Sequence, residues 1–339
     1  MDTLNWLSQL LAIDSPSGFT ERASVFLVDS LRELGLDPKR TGKGAVTCSL
    51  GAEPRLTLAA HTDTLGAVVS SIQGDGTLRF SLIGGPLLPT FESAYVRVHT
   101  RGGSVVQGTV LLDNPSAHAN NKAATKERTT DTMHVRLDEK VSNADDVRAL
   151  NISVGDIVAF DTRCTVLPNG YIKSHFLDNK AGCAVLFDVA KSLKNNGLTV
   201  PVELYFSVYE EVGHGGAGGY APTMEELLVI DMGVVGDSLQ GNETLCSICA
   251  KDSGGPYDYG FRTKLTEIAE QNRIPHAVDV YPFYSSDGTA AWRAGVDARV
   301  ALIGPGVHAS HGMERTHIDG INATTELCLA YIKHRFATS

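Results

Sequence analysis

Long apolar runs are the first thing this chain lacks. Nothing in its 339 residues approaches the roughly 20 consecutive apolar residues that cross a bilayer, so no membrane partner is expected. The opening stretch MDTLNWLSQLLAIDSPSG has neither the basic start nor the small-residue cleavage site of a secretory signal, and the expected location is the cytoplasm. Positive charge is also scarce: 29 Lys and Arg stand against 39 Asp and Glu, for a net charge of -10. Phosphate backbones are bound by clustered cations, which argues against a nucleic-acid partner, whereas carboxylates that hold metal would contribute to such a balance. Six cysteines (Cys48, Cys164, Cys183, Cys246, Cys249, Cys328) are scattered mostly in apolar surroundings, as reduced, buried thiols are, and give no disulfide framework. Cys246 and Cys249 form a C-x-x-C, but the second pair that a zinc ribbon needs is missing. The glycine-rich stretch 213–219 lacks the Lys-Ser/Thr ending of a phosphate-binding loop. Its glycines suit a backbone that passes close to a site.

What is present is an ordinary globular composition, 42% hydrophobic and 20% charged, in a chain long enough for one large domain or two. Helical spacing covers residues 4–13 and 21–34, and strands are expected at 45–49 and 56–60, the second apolar throughout as in a strand buried on both faces. From 66 to 164 the texture changes to short alternating segments at 68–72, 77–81, 94–100, 104–112 and 156–160, separated by glycine-rich turns. This predicts a small β-barrel or sandwich inserted into a larger fold, with 114–131 as a polar surface loop. Alternating strands and helices then resume: helix 179–193, a strand entering Glu210, strand 227–232, helix 259–271, strand 277–280, helix 286–294, strand 298–303 and helix 323–336. The expected fold is α/β, a mainly parallel-containing mixed sheet flanked by helices, with a small β-barrel or PDZ-like domain inserted. Residues 1–65 and 165–339 form the main domain and 66–164 the insertion. Ligands in such a fold sit beyond the carboxyl ends of the strands.

Five places put metal-capable side chains at those strand ends or loop mouths: His61 with Asp63, Asp178, the pair Glu210 and Glu211, Asp231, and His311. Singly each has a bland reading. A lone histidine is more often hydrogen-bonded than ligating, Asp178 before Asn-Lys-Ala-Gly can cap a helix, and adjacent glutamates are usually solvated. Asp231 is harder to dismiss, because a carboxylate inside Leu-Leu-Val-Ile-Asp-Met-Gly-Val-Val needs a partner or a cation. If the strand runs through Glu210 and Glu211, the two side chains diverge to opposite faces, one toward something bound and one toward what reacts with it. His214 in its glycine loop reads as exposed, and Tyr281, Phe283, Tyr284 and Trp292 as core or pocket wall.

The ordered set of His-x-Asp after a buried strand, Asp-Asn-Lys-x-Gly, Glu-Glu-Val-Gly, an apolar strand ending in Asp, and a late His-Gly-x-Glu resembles the M42 family of dinuclear metal aminopeptidases. That family includes the glutamyl aminopeptidases and TET peptidases, with wider relatives in M28 and M20. The resemblance runs over essentially the whole chain and implies that His61 and Asp231 bind one divalent ion, Glu211 and His311 a second, and Asp178 both. It further implies that Glu210 is the general base and that Asp63 hydrogen-bonds His61 and sets its tautomer. His-and-carboxylate ligation suits zinc, cobalt or manganese. The implied substrate is a short peptide cut at its first amide bond. The implied assembly is a homo-oligomer, up to a tetrahedral dodecamer joined through the inserted domain.

Two departures stand out. Three histidines, His308, His311 and His317, compete for the last ligand position, and Ser285-Ser-Asp-Gly-Thr289 replaces a Gly-Gly-Thr-Asp turn. The His-Ala-Ser-His-Gly-x-Glu-Arg-Thr-His form resembles the subgroup associated with the N-acetylglutaminylglutamine amide osmoprotectant, which would make the substrate a small modified dipeptide amide. A glycoside hydrolase using Glu210 in an acid–base pair leaves His61, Asp231 and His311 without a task. A purely structural metal site would leave Glu210 surplus.

Overall fold

The strand Leu56–His61 is buried at every position and pairs in parallel on both sides, with Val202–Ser207 and with Glu226–Ile230. Glu226–Ile230 pairs in parallel in turn with Arg299–His308. Alternate side chains of these strands feed two cores. Leu58, Leu204, Leu228 and Ile303 lie in one, and Ala59, Tyr205, Val229 and Leu302 in the other, as a period of two requires. The helices Leu177–Asn195, Thr3–Leu11 and Ile318–Phe336 cover the first side, and Asp287–Arg293 packs on the central strands with buried residues in the second core. This is the mixed α/β architecture expected, parallel at its centre and antiparallel at its margins: Val46–Ser49 against Val202–Ser207, Cys246–Asp252 against Arg299–His308, and Tyr171–Ser174 against Glu314–His317. The sheet is therefore mixed, with thirteen strands among the described residues.

The computed structural model describes residues 2–336. They divide into two compact units, one from the chain up to Asp63 and from Arg163 onward, the other Thr64–Thr162. The second unit is a closed six-stranded barrel of Gly66–Ile72, Leu78–Ile83, Tyr95–His99, Val105–Leu112, Met133–Leu137 and Ile157–Phe160. Phe91 and Phe160 pack at 4.7 Å within it. Its strand Met133–Leu137 was not expected, because the polar run that precedes it masks the start of a short alternating segment. The 114–131 stretch holds turns without regular structure. No described helix is long and apolar enough to cross a membrane.

Cys246–Asp252 is another strand that sequence periodicity missed, and it decides the C-x-x-C. Residues three apart on a strand face opposite ways, so Cys246 lies in one core and Cys249 in the other. Burial pushes both thiols up to about 12, and the two sulfurs do not share a ligand.

The opening helix Thr3–Leu11 buries Trp6, Leu7, Leu10 and Leu11, a single helical face. Trp6 stacks on Phe187 at 4.5 Å, and its Nε1 donates to Ser30 Oγ at 3.0 Å, so one side chain joins three helices. Trp6→Ala should cost about 3–5 kcal/mol, read as a lower denaturant midpoint with an unchanged slope.

Candidate metal centre

Parallel register brings strand ends level with one another: Ser207 stands opposite His61, the last residue of Leu56–His61. Asp231 directly follows Glu226–Ile230 and is 2% exposed. Each of His61, Asp178 and Asp231 offers a ligand atom within 4.8 Å of the others. His61 Nε2 lies 3.1 Å from Asp178 Oδ1, 3.6 Å from Glu210 Oε2 and 3.9 Å from Asp231 Oδ1. On the other side of the same carboxylate, His311 Nε2 lies 3.6 Å from Asp178 Oδ2 and 3.8 Å from Glu211 Oε2. One carboxylate thus turns each of its oxygens to a different imidazole. Asp178, Glu210, Glu211, Asp231 and His311 line a cavity of about 320 Å³ whose remaining wall is Gly213, Phe283, Tyr284 and Ser285.

One expectation needs correction. Glu210 and Glu211 do not diverge along a strand, because the strand stops at Ser207 and the pair opens a 3₁₀ turn, Glu210–Val212. Tyr209, with φ 71°, makes the break. The expected hydrogen bond between Asp63 and His61 runs through the main chain: His61 Nδ1 donates to the Asp63 carbonyl at 3.0 Å, which fixes the tautomer that leaves Nε2 facing the cluster, and the Asp63 carboxylate stands 3.6 Å from the same nitrogen. The carboxylate accepts the backbone N–H groups of Glu210 and Glu211 at 3.1 and 3.3 Å and the Ser17 hydroxyl. Among the three late histidines, His311 reaches the cluster. His308 is exposed at a strand end, and the His317 ring bonds to Asn169 and Asp319 backbone. His214 is exposed and stacks on Tyr209 at 5.2 Å. Of the aromatics, Tyr281 is core, while Phe283 and Tyr284 face the cavity.

Two residues escaped the sequence reading as site residues. Glu314, 1% exposed, accepts the backbone N–H of Asp178 through Oε2 at 3.0 Å and that of His311 through Oε1 at 3.1 Å. It clamps the shared carboxylate to the second imidazole, and the signal was its fixed place in His-Gly-x-Glu. Asp287, inside the unusual Ser285–Thr289 turn, accepts the Ser207 hydroxyl, and a Cβ at Gly215 would stand 2.4 Å from its Oδ1 and 2.8 Å from Glu210 N. Here glycine is required for the loop to pass behind Glu210.

The segment Asp178-Asn-Lys-Ala-Gly182 assigns its side chains separately. Asp178 has non-helical dihedrals (φ -74°, ψ 102°), so it is not the cap. Asn179 caps, accepting Gly182 N at 3.1 Å and donating to the Ile230 carbonyl at 2.8 Å. Lys180 Nζ donates to the carbonyls of Leu10 and Ile13 at the end of the first helix.

Burial pushes Glu210, Glu211, Asp231 and Glu314 well above the usual carboxylate range, and neighbouring carboxylates add to the effect. Burial acts the same way on Asp178, but the His61 hydrogen bond and the charges of both imidazoles hold it below that range. For His61, burial opposes protonation, yet Glu210, Asp178 and Asp231 outweigh it and raise the imidazole. Glu211 Oε1 is buried with no hydrogen-bond partner among the described residues. Buried acceptors in this number need positive charge that the surrounding side chains do not supply. Imidazoles and carboxylates without cysteine fit zinc, cobalt or manganese.

The family described as M42 glutamyl aminopeptidase matches residues 44–327. Over 336 residues the chain is 37% identical to the Bacillus subtilis (strain 168) protein named "Putative aminopeptidase YhfE", spanning 98% of this chain and 97% of that one. The TET aminopeptidase of the marine sediment archaeon Thaumarchaeota archaeon SCGC AB-539-E09 superposes with a TM-score of 0.87 at 20% identity, over 98% of this chain and 97% of that one. Pyrococcus horikoshii TET1 peptidase, which can assemble into a tetrahedron or a large octahedral shell, superposes with a TM-score of 0.84 at 23% identity, over 98% and 99%.

Metal should act on stability before it acts on any substrate. Adding zinc, cobalt or manganese to chelator-treated protein should raise its melting temperature by several degrees, and Asp178→Asn should abolish the rise. In the metal-free protein, four raised carboxylates stabilise the fold less as pH climbs above the ordinary carboxylate range, and the raised His61 does so once pH passes the ordinary imidazole value, against the single lowered Asp178. Its melting temperature should therefore fall between about pH 5 and pH 8, and metal should flatten that slope.

Proposed function

This chain belongs to the M42 glutamyl aminopeptidase family, and from that premise we propose that the cluster is a two-ion centre hydrolysing the N-terminal amide bond of short peptides. The observation that carries the reading is the division of Asp178 between His61 and His311, the arrangement expected of a ligand shared by neighbouring cations. His61 and Asp231 would hold one ion and Glu211 and His311 the other, with Asp178 common to both. Divalent ions bound there would polarise the scissile carbonyl and acidify water.

Glu210 is the carboxylate left over. Its backbone is fixed by Asp63 at 3.1 Å, its side chain lines the cavity, and burial raises its affinity for a proton. It takes a proton from the attacking water and delivers it to the departing amine nitrogen. Asp63 orients two groups at once, His61 through its carbonyl and Glu210 through its carboxylate. A carbohydrate-cleaving carboxylate pair would leave both imidazoles without a role. In the same reading the barrel joins copies of the chain into a homo-oligomer, by analogy with the shells formed by the Pyrococcus horikoshii TET1 peptidase.

Glu210→Gln should lower kcat by about 10²- to 10⁴-fold while metal content, measured by atomic emission, stays at the wild-type level. Near-normal turnover would remove Glu210 from the role of base. A panel of aminoacyl amides and short peptides, free and N-acetylated, with each metal in turn, should show turnover confined to free amines. Cleavage of blocked amines alone would point instead to an amidase for a small modified dipeptide. Light scattering of the full chain should give a multiple of 36.2 kDa, and a monomer would sink the assembly.

A further inference from the structure

One polar atom at the metal centre has no task in the chemistry above. Tyr284 lies in the loop between the strand His276–Val280 and the helix Asp287–Arg293. Its backbone is tied to Ser253 on both sides: its N–H donates to Ser253 Oγ at 3.1 Å, and its carbonyl accepts from Ser253 N at 2.9 Å. Its ring meets that of Tyr281 edge-on at 5.4 Å, which sets the direction of the side chain. Tyr284 lines the same cavity as Asp178, Glu210, Glu211 and Asp231, and the charges of Asp231, Asp178 and Glu210 act on its hydroxyl, with that of Tyr257 after them. Yet the hydroxyl oxygen is buried with no hydrogen-bond partner among the described residues.

Buried phenols ordinarily find a partner, because leaving one unpaired is costly. Phenylalanine would fill the same space without that cost, so the oxygen itself is what needs an explanation. The surrounding wall is rich in acceptors and poor in donors: Asp178, Glu210, Glu211 and Asp231 all accept. An amide drawn into the cavity brings a carbonyl oxygen that gains negative charge as water adds, and such an oxygen is stabilised by a fixed donor placed in advance.

On the reading of the site given above, we infer that Tyr284 is a further catalytic residue, whose phenol O–H donates a hydrogen bond to the carbonyl oxygen of the scissile amide as that oxygen becomes an oxyanion. The phenol keeps its proton throughout, and no bond to it forms or breaks. The contact strengthens in the transition state, so it acts on turnover more than on ground-state binding.

The test is Tyr284→Phe in the metal-loaded full-length protein, with Tyr281→Phe as a control. Tyr281 carries another buried phenol, close to Ser247, and it does not line the cavity. In Tyr284→Phe, kcat should fall on the order of 10²-fold with KM changed by less than about threefold. Calorimetric affinity for an aminoalkyl boronic acid, which presents a tetrahedral oxyanion, should weaken by a similar factor, while affinity for the free amino acid product holds. Metal content and melting temperature should match wild type, because the lost oxygen holds nothing in the fold. Tyr281→Phe should behave as wild type.

Unchanged kcat and boronate affinity in Tyr284→Phe would overturn the assignment. So would an equal loss in Tyr281→Phe, or a loss explained by missing metal or a lowered melting temperature. If wild type hydrolyses no peptide with any metal, the reading of the site fails and takes this assignment with it. If wild type is active and the variant is unaffected, only the assignment fails.

Discussion

Mutual repulsion among buried carboxylates is the constraint on which the rest of this structure depends. Asp178, Glu210, Glu211 and Asp231 converge on two imidazoles in a cavity of about 320 Å³. Left alone, such a group would protonate or splay apart. Two features keep it assembled. Strand ends level with one another leave little freedom for His61 and Asp231, and backbone hydrogen bonds restrain the loop residues that have no strand to hold them.

Those restraints follow one pattern used twice. Asp63 receives the N–H groups of Glu210 and Glu211, and Glu314 receives those of Asp178 and His311. In each case a carboxylate outside the cavity lining fixes the main chain of two residues that reach into the cavity. Two hydrogen bonds to one buried side chain hold each pair of residues in a fixed relation, which suits loops bearing groups that repel one another. The left-handed dihedrals of Tyr209 and His311 (φ 71° and 62°) sit where the chain turns to present those N–H groups. Strain at such positions persists when the surroundings over-determine them.

Sequence patterning foretold the elements well where a segment's own composition decides its structure. Helix 259–271 ends where expected on both sides, and in the structure Asp258 caps it, accepting Phe261 N at 2.7 Å. The buried strand 56–60 was visible because a central parallel strand has no polar face. Cys246–Asp252, with a lysine and an aspartate among its residues, carries no such mark. It becomes a strand by pairing with Arg299–His308 on one side and His276–Val280 on the other. The glutamate pair misled in the opposite sense, since an apolar run continuing into Val208 and Tyr209 suggested a longer strand than Val202–Ser207.

By itself the amino-acid order determined which chemistry this protein can hold. Side chains fit for metal, spaced at the ends of apolar segments and unsupported by cysteine or clustered cations, are a property of composition and period, and both are local. The tertiary structure alone decided which of those groups meet. It brought His311, and not His308 or His317, up to Asp178, presented the Asp63 carbonyl to His61, and made Glu314 a clamp. Which of several identical groups meets a partner depends on contacts between residues more than a hundred positions apart, such as Asp178 with Glu314 and His61 with Asp178. No periodicity along the chain encodes such distances.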